Sequence, residues 1–152
     1  SVNQVERHPL LPQWELLDFC TCRGIVLQAH TPLGQGASHG HAPNGLLGHP
    51  TVVKVSREAQ LSPAQALVQW NLRHGVALVP KCSTDEHARQ LLEAAYPGGR
   101  STSGLGVDCK LSVLHMKWLD ALTPPGGAGV RWISQYCKFM YGTTEKSRLY
   151  RW

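Results

Sequence analysis

The chain has 152 residues, 42% hydrophobic and 16% charged, with a formal net charge of +5 and a pI near 9.1. That length holds one ordinary domain with a core, and the composition is that of a globular rather than a disordered chain. No apolar run reaches the roughly 18 residues that would span a bilayer, so no membrane partner is expected.

The first residues, from Ser1 to Glu6, lack the basic and apolar stretches of a secretory leader, and the expected location is the cytoplasm. They open directly in a strand-like alternation without a Met, as an incomplete chain or a processed one would. The cysteines (Cys20, Cys22, Cys82, Cys109 and Cys137) are odd in number, without framework or zinc-ribbon spacing, and read as reduced thiols without a metal. His39 and His41 form the nearest approach to a metal pair, but they sit in a Gly/Ala/Pro/Asn loop and read as a solvated turn. The positive charge suits an anionic ligand, a nucleotide phosphate or RNA, or simply a basic surface.

In chain order, Val2–Glu6 reads as a strand. Residues 13–23 carry a one-sided apolar stripe of Trp14, Leu16, Leu17, Phe19 and Cys20, closed by Gly24, and read as a helix. Residues 24–29 are a near-continuous apolar run, as expected of a strand buried on both faces in a parallel sheet. A Gly/His/Pro/Asn loop spans 34–48, and a short helix covers Pro50–Glu58. Ser62 caps the next helix and Pro63 takes its first turn, where a missing N–H costs nothing; Gly75 ends it. Residues 76–80 are a second buried strand. Thr84 opens a helix through Ala95, 97–106 is a flexible insertion, and 112–122 is a last helix before a break at 123–129. Strand and helix alternate as in an α/β fold with a parallel sheet. Only these strands are visible, too few to close a barrel, so the chain reads as part of a larger sheet.

Parallel α/β sheets bind ligands at the carboxyl ends of their strands. Gln4 and His8 lie near the first such end, His30 to Gly34 follow the second, and Lys81, Cys82, Ser83 and Thr84 follow the third. A lysine at a strand end, hydroxyl and thiol side chains, and then a helix N-terminus suit a phosphate. A solvated lysine before an ordinary capped helix has the same residues.

Several segments resemble aldo-keto reductases. Val2-Asn-Gln-Val-Glu6 with His8-Pro9, Leu10 and Gln13 is similar to the family's "VNQ-E-HP-L-Q". Gly24-Ile25, Ala29 and Thr31-Pro32-Leu33-Gly34 are similar to "GI-A-Y-SPLG". Leu46-Leu47, Pro50 and Val52 resemble "LL-P-V", and Ser62, Ala64-Gln65 and Trp70 resemble "S-AQ--L-W". Val79-Pro80-Lys81 resembles "IPKS", and Leu111-Ser112, Met116 and Leu119 to Leu122 resemble "LS--DM--LDAL". These fall in the family's order over residues 1–122, most weakly at 96–108, and leave 123–152 as an unmatched tail.

The resemblance implies a partial (β/α)8 barrel, the last three strands and their helices, from the C-terminal half of an NADPH-dependent reductase of aldehydes and ketones. It places Gln4 on the nicotinamide carboxamide and His30 where a tyrosine usually stacks under the ring; a local hydrogen bond is the plainer use of His30. Thr31, Pro32, Leu33 and Gly34 match the loop along the pyrophosphate and ribose, and Lys81, Cys82 and Thr84 match the 2′-phosphate pocket. Cys82 replaces the usual serine, a weaker donor. The family's adenine-stacking arginine falls on His87 without gaps or on Arg89 with an insertion. Those two point about 200° apart on a helix, so they cannot share the role. The strands that carry the family's Asp, Tyr, Lys and His tetrad are not in this sequence, so no catalytic residue is assigned and the chain is expected to be inactive alone. The alternative is a remnant half-barrel serving as a non-catalytic binding or interaction module. Its tail interleaves Tyr136, Phe139, Tyr141, Tyr150 and Trp152 with Lys138, Lys146, Arg148 and Arg151, a pattern that suits single-stranded nucleic acid less well than an ordinary terminus.

Overall fold

Parallel strands carry the architecture in a computed structural model that describes residues 1–34, 45–96 and 109–123. The order is β1 (Val2–Glu6), α1 (Trp14–Cys22), β2 (Val26–His30), a 3-10 turn (Gly45–Gly48), α2 (Pro50–Glu58), α3 (Pro63–Arg73), β3 (Ala77–Val79), α4 (Asp85–Ala95) and α5 (Val113–Asp120). The sheet runs β1-β2-β3, parallel throughout, with Glu6 opposite His30 and His30 opposite Val79.

The helices begin and end where side-chain chemistry directs. Ser62 Oγ accepts from Gln65 N at 3.2 Å and Gln65 Oε1 accepts from Ser62 N at 2.9 Å, a closed capping box ahead of Pro63. Gly24 (φ 64°) and Gly75 (φ 70°) end α1 and α3 in the left-handed region, which a side chain would strain. The N–H groups of Ile25 and Val76 still serve those helix ends, donating to Cys20 O and Asn71 O. For that reason β2 and β3 start later than their apolar runs, at Val26 and Ala77 rather than 24 and 76. Gly45–Gly48 corrects the expectation of an irregular stretch through residue 48: it is a 3-10 turn, with Gly45 and Leu46 buried. The last helix is likewise shorter than 112–122, with Ser112 outside it as the cap.

Burial on both sheet faces does not hold among the described residues. Leu27 and Ala29 are buried with Cys20 and Val76 beneath α1. Val26 and Val79, pointing the other way, are 48% and 43% exposed. Helices pack on one face, and on the other no described element does. The largest buried cluster lies away from the sheet, where Leu46, Val52, Val55, Leu67, Trp70 and Leu119 join the 3-10 turn, α2, α3 and α5. A smaller one, Val68 with Leu91 and Ala94, fastens α4 to α3. The 35–44 loop with His39 and His41, the 97–106 insertion, Cys137 and the basic aromatic tail lie outside the described residues.

Candidate functional site

Because the strands are parallel, their carboxyl ends share one edge, with Glu6, His30 and Val79 abreast. The alternation of side chains along a strand puts Gln4, Gln28 and His30 on the open face. Gln4 and Gln28 are register partners, and Gln4 Nε2 donates to Gln28 Oε1 at 2.6 Å. Gln28 is a residue that the sequence reading passed over, although a lone amide two positions before His30 in an apolar run was its signal. His30 is half-buried, and its Nδ1 lies 3.1 Å from Thr31 Oγ1.

The chain leaves β2 through a tight turn in which Gly34 N donates to Thr31 O at 3.0 Å, with Pro32 at the position its ring suits. Thr31 adopts φ 53°, an uncommon conformation for a β-branched residue and one that clusters at ligand clamps. Pro32 is buried, while Thr31, Leu33 and Gly34 are half-exposed.

After β3 the side chains are solvent-facing: Lys81, Cys82, Thr84, His87 and Arg89 are all exposed. Thr84 Oγ1 accepts from His87 N at 3.2 Å as the α4 cap, which leaves its O–H free to donate. Arg89 Nη2 pairs with Glu86 Oε2 at 2.7 Å. Asp85 and Glu86 fill the first turn of α4, so their charge opposes a second anion at that helix end. Among the described residues no group of three or more His, Cys, Asp or Glu comes together to hold a metal.

The loop beyond β1 contains the residue that sequence reasoning missed most completely. Arg7 is wholly buried. Its Nε donates to Pro12 O at 2.9 Å and its Nη1 to Asn71 Oδ1 at 2.7 Å, while its guanidinium lies 4.3 Å from the centroid of Trp70. Burial pushes its pKa down to about 10, opposed by Asp120, and it stays charged. Asp120 in turn accepts from Trp70 Nε1 at 2.7 Å and faces His74 Nε2 at 3.0 Å. His74 is held below its ordinary range by burial, which outweighs Asp120. Glu6 and His8, also buried, approach each other at 3.4 Å, and Thr123 Oγ1 donates to Pro9 O at 3.0 Å, tying the exit of α5 to this loop. These contacts hold the loop beyond β1 against the helices.

A parallel β/α unit whose strands end together along one edge is part of a larger α/β sheet or barrel. No family model matches the chain. It is 34% identical over 122 residues, 80% of its length, to 9,11-endoperoxide prostaglandin H2 reductase of Trypanosoma cruzi (strain CL Brener), of which it covers 37%. It is 38% identical over 81 residues, 53% of its length, to glycerol 2-dehydrogenase (NADP(+)) of Saccharomyces cerevisiae (strain ATCC 204508 / S288c), covering 24% of that protein. Among solved structures, an aldo-keto reductase from a Medee basin deep-sea metagenome library superposes with a TM-score of 0.66 at 25% identity, over 87% of this chain and 42% of that one. The chain is thus similar to aldo-keto reductases over much of its length, in sequence and in fold, and spans well under half the length of these relatives.

Proposed function

We propose that residues 1–122 are the C-terminal half of an NADPH-dependent aldo-keto reductase barrel, contributing the cofactor edge of an enzyme that reduces aldehydes or ketones to alcohols. Support comes from the shared face and edge of Gln4, Gln28 and His30, with Thr31 to Gly34 and Lys81 continuing from it. The NADP(+) in the name of the yeast relative supports the same cofactor.

The residues present fit such a group unevenly. The Gln4–Gln28 pair offers amide donors and acceptors to a carboxamide, and the half-buried His30 offers a ring face. At the phosphate end Lys81 offers the uncommitted cation and Thr84 an O–H that its cap role leaves free, while Arg89 is engaged by Glu86. When bound, the cofactor supplies the hydride. This chain's residues bind and orient it, and the proton donor belongs to strands that the sequence does not contain. By itself the chain has no reductase activity in this reading.

Complementing the chain with the N-terminal half of a relative provides the test, read by titrating both cofactors through protein fluorescence. Lys81→Met should weaken NADPH about tenfold, the low end of a charge-assisted contact, and leave NADH nearly unchanged. Equal losses for the two would make Lys81 structural and end the phosphate assignment. Aldehyde reduction by the chain without its complement would overturn the division of labour.

A further inference from the structure

In two helices a histidine nitrogen accepts a backbone hydrogen bond at the first turn. His49 caps α2, and its Nδ1 accepts from Thr51 N at 3.2 Å. At α5, His115 Nδ1 accepts from Ser112 N at 3.3 Å while Ser112 Oγ accepts from His115 N at 3.2 Å, a capping box with histidine in the place of the usual Glu or Gln. A backbone N–H can only donate, so each Nδ1 presents its lone pair and the ring proton sits on Nε2. For His115 that Nε2–H faces Glu58 Oε2 at 3.3 Å, which sets the tautomer from the other side as well. An imidazolium has no lone pair to offer, and it brings positive charge to the positive end of the helix dipole. Protonation at either position removes a terminal hydrogen bond and adds a repulsion.

The two helices are packed as one unit. Val52 and Val55 of α2 share a buried cluster with Met116 and Leu119 of α5, and Lys54 Nζ lies 3.8 Å from the ring centroid of Trp118. Their neighbours α3 and α4 use no histidine acceptor: Ser62 with Gln65 and Thr84 alone cap them, groups that do not titrate near neutrality, whereas α5 adds His115 to its own hydroxyl cap, Ser112. We propose that α2 and α5 form an acid-labile unit, which opens from its helix starts when His49 and His115 take up protons while α4 stays closed.

The surrounding charges decide where this occurs. Burial holds His49 below the ordinary histidine value of 6.5. A histidine depressed in the folded state leaves the fold at full stability above 6.5, and stability falls as the pH drops from there towards the folded value. The Glu58 carboxylate that His115 Nε2 faces is 45% exposed, so the pair is worth little in solvent. Lys54 Nζ is the other charge nearby, over the ring of Trp118, which itself lies 5.9 Å from the His115 ring. His74, the residue after α3, faces Asp120, Arg7 and Arg73 and is also depressed; its contact with α5 is at Asp120, the opposite end of that helix from the Ser112 start.

Hydrogen exchange of the full 152-residue chain at about pH 7.5 and pH 5.5, expressed as protection factors, reads this directly. Protection across α2 and α5 should fall about five- to tenfold more than across α4, the value of one helix cap. His49→Ser with His115→Gln replaces both acceptors by non-titrating ones and should abolish the excess while keeping protection at the higher pH. Equal loss in α4, as a global acid effect through His74 would give, overturns the proposal. So does an excess that survives in the double variant, or an α2 that lacks protection at the higher pH.

Discussion

Trp70 lies in α3 and Lys81 follows the next strand, yet Trp70 is wholly buried and bonded to Asp120, while Lys81 stands exposed beyond β3. The layer formed by α2, α3 and α5 is closed by apolar packing beside the buried Arg7. The strand-end edge keeps its polar groups in solvent or on an uncovered face. Stability concentrates where side chains have many partners, and binding chemistry where they have few. A substitution should therefore be felt either in folding or in cofactor affinity, seldom in both.

The largest effect is expected at Trp70. Trp70→Ala removes a buried indole, the lid on Arg7 and a donor to Asp120 together, and should cost about 3–5 kcal/mol in urea unfolding. A loss below about 1.5 kcal/mol would mean that the cluster relaxes freely and that the contrast between the two regions is overstated. At the start of α3, Ser62→Ala opens the capping box and should cost about 1 kcal/mol, read as a shift in the urea midpoint with unchanged slope. At the strand-end edge, Glu86→Gln breaks an exposed ion pair and should change stability by less than about 0.5 kcal/mol. Because it frees Arg89, the same variant sharpens the assignment in the complemented barrel. Tighter NADPH binding would point to Arg89 as the second phosphate ligand, and no change would leave His87 as the candidate.

Much of the fold was legible because its signals are local. Ser62-Pro63, Thr84, Gly24 and Gly75 mark helix ends through hydrogen bonds made within one turn, and each stands where the spacing implied. The strand runs were visible but their limits were not, since Ile25 and Val76 read as apolar strand residues while their N–H groups close the preceding helices. Burial of β2 and β3 on both faces was misjudged for a different reason: apolar character says that a face seeks cover, not that the described chain supplies it.

What the sequence alone determined is the alternation of strands and helices, most of the helix ends and the resemblance to aldo-keto reductases, all carried by residues close together in the chain or by motifs in series. Tertiary structure decided what depends on distant partners. Arg7 reads as one more basic residue until Asn71 and Trp70 enclose it, and Gln28 reads as a flaw in an apolar strand until the parallel register sets it against Gln4. His49 and His115 carry no sign of their role in composition. A lone imidazole becomes a helix cap only when the backbone turns an N–H towards its nitrogen, and that is a property of the folded path rather than of the residue.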